Sequence, residues 1–201
     1  MNILTDALPD RVEIGGRPFP IETDFRAGIA FEIMVEKGEL RIGKLLSPFF
    51  PHGLPDVTDA GAAVDAVLTF YRCGETPQEA QGGATKSKQA YSFTVDASTV
   101  YADFWRYYGI DLSGAALHWW AFRALLMGLP DDSGYKQRVY YRTCDLAGLP
   151  KKERERINKI RKLIEIRPEG REKMTLAERN AQMLEYASRR SRQANEASAE
   201  T

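Results

Sequence analysis

The histidines and cysteines, the usual nitrogen and sulfur ligands of metals, number four in this sequence: His52, Cys73, His118 and Cys144. A zinc site is usually built from close ligand pairs such as C-x2-C, and these four are scattered, so no metal is expected. His118 stands in an apolar stretch beside Trp119-Trp120, where a hydrogen-bonded core or boundary histidine is favoured over a catalytic base. Cys144 reads as a small core residue. Asp131-Asp132 follows Gly128-Leu129-Pro130 in a loop, and capping and solubility account for it better than carboxylate-pair chemistry. Glu32 and Glu36, one helical turn apart, read as a solvated face. Gly15-Gly16 and Gly82-Gly83 lack the strand-to-helix context of a phosphate-binding loop, and no G-x-S-x-G, P-loop or G-x-G-x-x-G pattern occurs. No catalytic constellation results. A non-enzymatic role without cofactor is the expectation.

The elements that must position these residues are mostly helical. The chain has 201 residues, 43% hydrophobic and 28% charged, which suits one domain with a normal core and some solvated tail. Residues 11–21 alternate apolar and polar around Gly15-Gly16, a short hairpin signal that Pro18 and Pro20 limit to an edge or partial pairing. Thr23 caps a helix to about Lys37, with Phe25, Ile29 and Ile33 on one face. A short helical piece spans 39–46 and ends in the turn Ser47-Pro48-Phe49-Phe50-Pro51. Thr58 or Asp59 starts the next helix, striped by Ala60, Val64, Val67 and Tyr71. Residues 74–89 are polar and Gly-rich, which predicts a mobile loop.

Asp96 is a good cap for a helix to Tyr108, stopped by Gly109 in the left-handed conformation. Ser113 caps a nearly all-apolar helix from about Gly114 to Met127 that belongs in the middle of the core. A helix over 133–146 follows, then a highly charged one over 151–165 with an apolar seam at Ile157, Ile160 and Ile164. Thr175-Leu176-Ala177-Glu178 is a capping box for one more helix, with a weak seam at Leu176, Met183, Leu184 and Ala187. The expected architecture is a mainly α, compact multi-helix domain over 1–167 with an N-terminal β-hairpin, then a C-terminal helix and frayed tail over 168–201.

Charge and aromatics point to partners. From Lys151 onward there are 14 Lys+Arg against 9 Asp+Glu, a balance of +5, and the preceding chain is at −5. The charged helix could touch phosphates, but Glu153 and Glu155 interrupt it, which favours docking by its Ile seam over nucleic-acid binding. Adjacent Trp119 and Trp120 point ~100° apart around a helix. One of them facing a surface would make an anchor for a partner, with core packing as the alternative. Trp119, Trp120, Ile157, Ile160 and Ile164 are thus the candidate partner-binding residues. No window approaches the ~18 continuous apolar residues of a membrane span. The start, Met1-Asn2-Ile3-Leu4, has no basic region before an apolar run, and two cysteines fit a reducing cytoplasm.

Several stretches resemble one phage family. Thr23-Asp24-Phe25-Arg26, Phe49-Phe50-Pro51, Tyr107-Tyr108-Gly109-Ile110-Asp111-Leu112 running to His118-Trp119-Trp120-Ala121-Phe122, and Tyr141-Arg142-Thr143-Cys144-Asp145-Leu146 are similar to the gp-fifteen family of tailed phages and prophages of Gram-positive bacteria. The similarity covers about residues 10–167. It implies a small helical protein of tail morphogenesis, encoded near the tape-measure gene, and it transfers no catalytic residue. By this resemblance the partners are the tape-measure protein, tail-tube subunits and further copies of the chain, met in the host cytoplasm, with the protein absent from the mature virion. The competing readings are a structural tail or connector component and a nucleic-acid-binding regulator.

The weak seam of the last helix generates a prediction. Deleting residues 175–201 leaves the melting temperature of the remaining domain nearly unchanged. A large drop in a thermal melt would show that this segment packs as part of the domain.

Overall fold

The structure is a computed structural model that describes residues 2–39, 41–54, 60–75 and 89–167. The chain separates into two units, Met1–Ile166 and Arg167–Thr201. The expected helix from Thr175, the cap at Thr58 or Asp59 and most of the 74–89 loop lie outside the described residues. Within them stand one two-stranded antiparallel hairpin, β1 (Arg11–Ile14) and β2 (Arg17–Pro20), and seven helices. The helices are α1 (Phe25–Glu36), α2 (Ile42–Leu46), α3 (Ala60–Tyr71), α4 (Phe93–Tyr108), α5 (Trp119–Met127), α6 (Gly134–Thr143) and α7 (Lys151–Leu163). The mainly α fold with an N-terminal hairpin is as the sequence predicts.

The hairpin turns on Gly15 and Gly16, at φ 56° and 75°, the positive values a two-residue turn demands and side chains resist. Val12 and Ile14 are buried, and β1 packs on α3. The register pairs Arg11 with Pro20 and Glu13 with Pro18. Ile21 donates its amide to Asp10 O at 3.0 Å, so amides of the alternate residues 18 and 20 would point away from β1. The two prolines therefore cost the hairpin no hydrogen bond.

The core centres on Phe122, fully buried in α5. Its ring stacks on Phe25 of α1 at 4.9 Å, Phe104 of α4 at 5.1 Å and Trp119 at 5.8 Å. Three helices thus meet on one phenyl ring. Alpha-helix α1 crosses close to α5 because Gly28 has no Cβ: one placed there would stand 2.3 Å from Trp119 Cε3.

Three helix starts differ from expectation, each for a local reason. α1 is capped by Asp24, one residue past Thr23, through Arg26 N. α4 is capped by Ser92, whose Oγ accepts from Thr94 N and Val95 N, while Asp96 sits a turn inside and accepts from Ser92 N at 3.1 Å. Burial of Phe93 draws the helix start forward. α5 begins at Trp119 and not near Gly114. The Ser113 hydroxyl donates to Asp111 Oδ1 at 2.6 Å, which ties it into an Asx turn. The carbonyls of Leu112, Ser113 and Ala115 all accept from the Arg26 guanidinium at 2.8–3.1 Å. Phe25 N takes Leu117 O at 2.9 Å, and the chain stays extended until His118 caps the helix.

Gly28→Ala forces a methyl group into the indole of Trp119. A loss of about 1–3 kcal/mol, typical of overpacking, is expected in chemical denaturation. Gly43→Ala, whose new methyl would stand 3.5 Å from Leu54, is near neutral in the same assay.

Candidate functional site

Trp119 and Trp120 do not reach the surface; they are 1% and 8% exposed. The expected surface anchor is corrected here, and the cause is the end of α3. At the end of α3, Phe70 O accepts from Cys73 N at 2.9 Å, while Tyr71 O meets no backbone amide among the described residues. Trp119 Nε1 donates to Tyr71 O at 2.9 Å and Trp120 Nε1 to Phe70 O at 2.8 Å. Two indoles that diverge around α5 thus meet two successive carbonyls. Trp119 also stacks on Tyr71 at 5.3 Å, and Arg123 adds a donor to Tyr71 O at 3.3 Å. The exposed tryptophan is Trp105, at 56%, with Tyr101 one turn before it on the outer face of α4. Its position off the Val100–Phe104–Tyr108 stripe was the signal for that.

The Ile seam faces inward. Ile157 is buried, and Ile160 and Ile164 are half-buried, with α7 packed on α6. Ile157 is therefore spent inside the chain and is not free for a partner. Two arginines fasten the helix pair reciprocally. Arg161 of α7 donates to Tyr141 O at 2.6 Å and to Cys144 O, covering the end of α6. Arg142 of α6 donates to Ile164 O at 2.8 Å, covering the end of α7.

Arg142 also meets Asp96 of α4 through two hydrogen bonds, 2.5 and 2.9 Å, and both side chains are buried. Arg138 reaches the same carboxylate at 2.9 Å, and Arg142 Nη1 reaches Ala90 O at 3.2 Å. Burial alone would raise the Asp96 pKa. Hydrogen bonds from Arg142 and Ser92 N, the Arg142 charge and Arg138 outweigh it and hold the carboxyl below its ordinary value. The sequence marks Asp96 only as a cap and Arg142 only within the family-like stretch, and it does not pair them, because they are 46 residues apart.

Glu32 and Glu36 are not a solvated face. Glu32 accepts from Tyr71 OH at 2.7 Å and from Tyr91. Glu36 accepts from Gln89 Nε2 and Ser92 Oγ, both at 2.9 Å. Helix α1 thus holds the residues on both sides of segment 76–88. Burial first, and Glu36 second among the raising effects, push the Glu32 pKa up against its tyrosine hydrogen bonds and Arg123.

His118 is structural. Nδ1 accepts from Trp120 N at 3.0 Å, which puts the proton on Nε2, facing Pro9 O at 3.0 Å. Burial pushes the Cys73 thiol up to about 11, so it stays protonated at neutral pH. Among the described residues no three His, Cys, Asp or Glu side chains lie together as metal ligands, and no helix is long and apolar enough to cross a membrane.

What remains outward is the far side of α7. Lys151, Lys152, Arg154, Arg156, Lys159 and Lys162 are exposed, together with Leu163 at 86%. The molecule so described is a small helical body with a strongly basic helix strapped along it. The profile of the Bacteriophage Gp15 protein family matches residues 4–166, and the chain belongs to that family. Membership gives it a phage-related role in structure or morphogenesis. No curated protein and no solved structure matches the chain.

The two buried carboxylates shift stability in opposite senses. Asp96, lowered in the fold, contributes stability that is present above pH 3.8 and lost as pH falls through its folded pKa. Glu32, raised in the fold, contributes stability that is present below pH 4.5 and lost as pH rises through its folded pKa. Asp96→Asn strands the buried Arg142 charge and costs about 3–5 kcal/mol at neutral pH. Glu32→Gln flattens the fall of stability above pH 4.5. Urea titrations of both variants across pH check this, and an unchanged pH profile in either refutes its assignment.

Proposed function

We propose that this protein is a tail-assembly chaperone that binds the tape-measure protein, tail-tube subunits or both while the tail is built. It works in the host cytoplasm, needs no catalysis, and is left out of the finished particle. The observation that carries the reading is α7: a helix fastened by side-chain donors to the body, with a cationic face outward, in a member of a phage family. A tape-measure protein is a long helix that must stay soluble until tube subunits cover it. The grip on it has to be displaceable. Exposed charges suit that task, since they speed encounter and fix orientation more than they add affinity. Further copies of the chain are proposed to assemble along the same client.

The runner-up is a permanent tail or connector subunit, which the exposed Trp105–Tyr101 pair would suit as an interface anchor. Quantitative mass spectrometry of purified particles separates the two. The chaperone is absent or far below one copy per particle, and a fixed stoichiometry in mature tails overturns the proposal. In co-expression, the chaperone keeps the tape-measure protein in the soluble fraction, which sediments when expressed without it.

A further inference from the structure

We propose that the outer face of α7 is a docking surface for an acidic amphipathic helix of a partner protein. The inference deepens the assembly reading by naming the surface and the chemistry it recognises. Thirteen residues of α7 hold seven Lys+Arg and two Glu, a balance of +5. That equals the whole excess of the chain from Lys151 onward, and the molecule is otherwise acidic. The charge is therefore concentrated on one helix.

Lys152, Arg156, Lys159 and Leu163 fall at i, i+4, i+7 and i+11, one stripe along a helix, and border a shallow groove with Ile160, while Glu153 and Glu155 line it beside the stripe. Arg156 lies 3.5 Å from Glu153, and Lys152 and Lys159 have no ion-pair partner among the described residues. The helix cannot rotate to hide the stripe, because Arg161 and Ile157 hold the opposite side. A helix with carboxylates at matching spacing and an apolar residue over Leu163 complements charge and shape together.

Two other anionic partners fit less well. A phosphate backbone would gain nothing from Leu163 and would find no aromatic ring on α7 to stack a base. An anionic bilayer needs a broad apolar face to enter, and α7 offers only Leu163 and the half-buried Ile160.

The full chain is titrated against a fluorescein-labelled helical peptide with Glu at i, i+4 and i+7 and Leu at i+11, read by anisotropy at low and moderate salt. Parallel arms use the Glu→Lys peptide, short duplex DNA and phosphatidylglycerol vesicles. The acidic peptide binds in a salt-sensitive way and the Glu→Lys peptide does not. Lys152→Glu/Arg156→Glu/Lys159→Glu weakens binding at least about tenfold, and Leu163→Asp weakens it further at moderate salt, where screening leaves the apolar contact. These side chains are exposed, so circular dichroism and melting temperature stay unchanged; if the triple variant misfolds, Lys152→Gln/Lys159→Gln replaces it. No binding of the acidic peptide, or binding that survives charge reversal, overturns the proposal. So does tighter binding of DNA or vesicles that the same reversal abolishes. A face that passes this test in a protein found at fixed stoichiometry in virions retains the docking surface and rejects the chaperone. Tape-measure solubilisation that survives the triple variant does the reverse.

Discussion

Helices here are short, from 5 to 16 residues. The last four carbonyls of any helix have no partner along the helix itself. In a body made of short helices that deficit recurs every dozen residues or so, and each buried carbonyl left unpaired would cost about 1–3 kcal/mol. Backbone amides just past α1, α3 and α4 meet part of it, and long side-chain donors from other elements add to them. Trp119, Trp120 and Arg123 cover the end of α3, Tyr108 OH reaches Leu125 O of α5 at 2.8 Å, Arg161 covers α6 and Arg142 covers α7. Each cap is also a tertiary contact. Helix termination and helix packing are one set of interactions, so few of the large polar residues inside are spare.

The Asp96–Arg142 pair lies at the junction of that network. A buried ion pair is weak evidence for net stability, since desolvation offsets most of the attraction. Its value here is geometric. The guanidinium satisfies Asp96, Ala90 O and Ile164 O at once, fixing α4, α6 and the end of α7 in one arrangement. An apolar pair of equal volume would fill the space without selecting that arrangement.

The parts of the fold governed by local chemistry were legible in the sequence: the Gly15-Gly16 hairpin, the Gly109 stop at φ 65°, the helix starting near Ser133 and the charged last described helix. The parts set at long range were not. Ser113 looks like a cap until Arg26, 87 residues away, takes its carbonyl. Trp120 looks free to turn outward until Phe70, 50 residues away, accepts its N–H. Glu32 and Glu36 show only their spacing, and nothing in it announces tyrosine and serine partners from beyond segment 76–88. The candidate site was half legible for the same reason. Periodicity identified α7 as two-faced, but only the reciprocal arginines determine that the isoleucine side is the inner one.

The prolines of β2 also decide what the free edge of the hairpin can pair with. Strand edges recruit other strands through alternating N–H and C=O groups. With Pro18 and Pro20 at the outward-pointing positions, that rim of the hairpin offers carbonyls and no amide donors. A second hairpin cannot zip onto it with a regular ladder. The only sheet among the described residues is thereby closed to a regular ladder on one side.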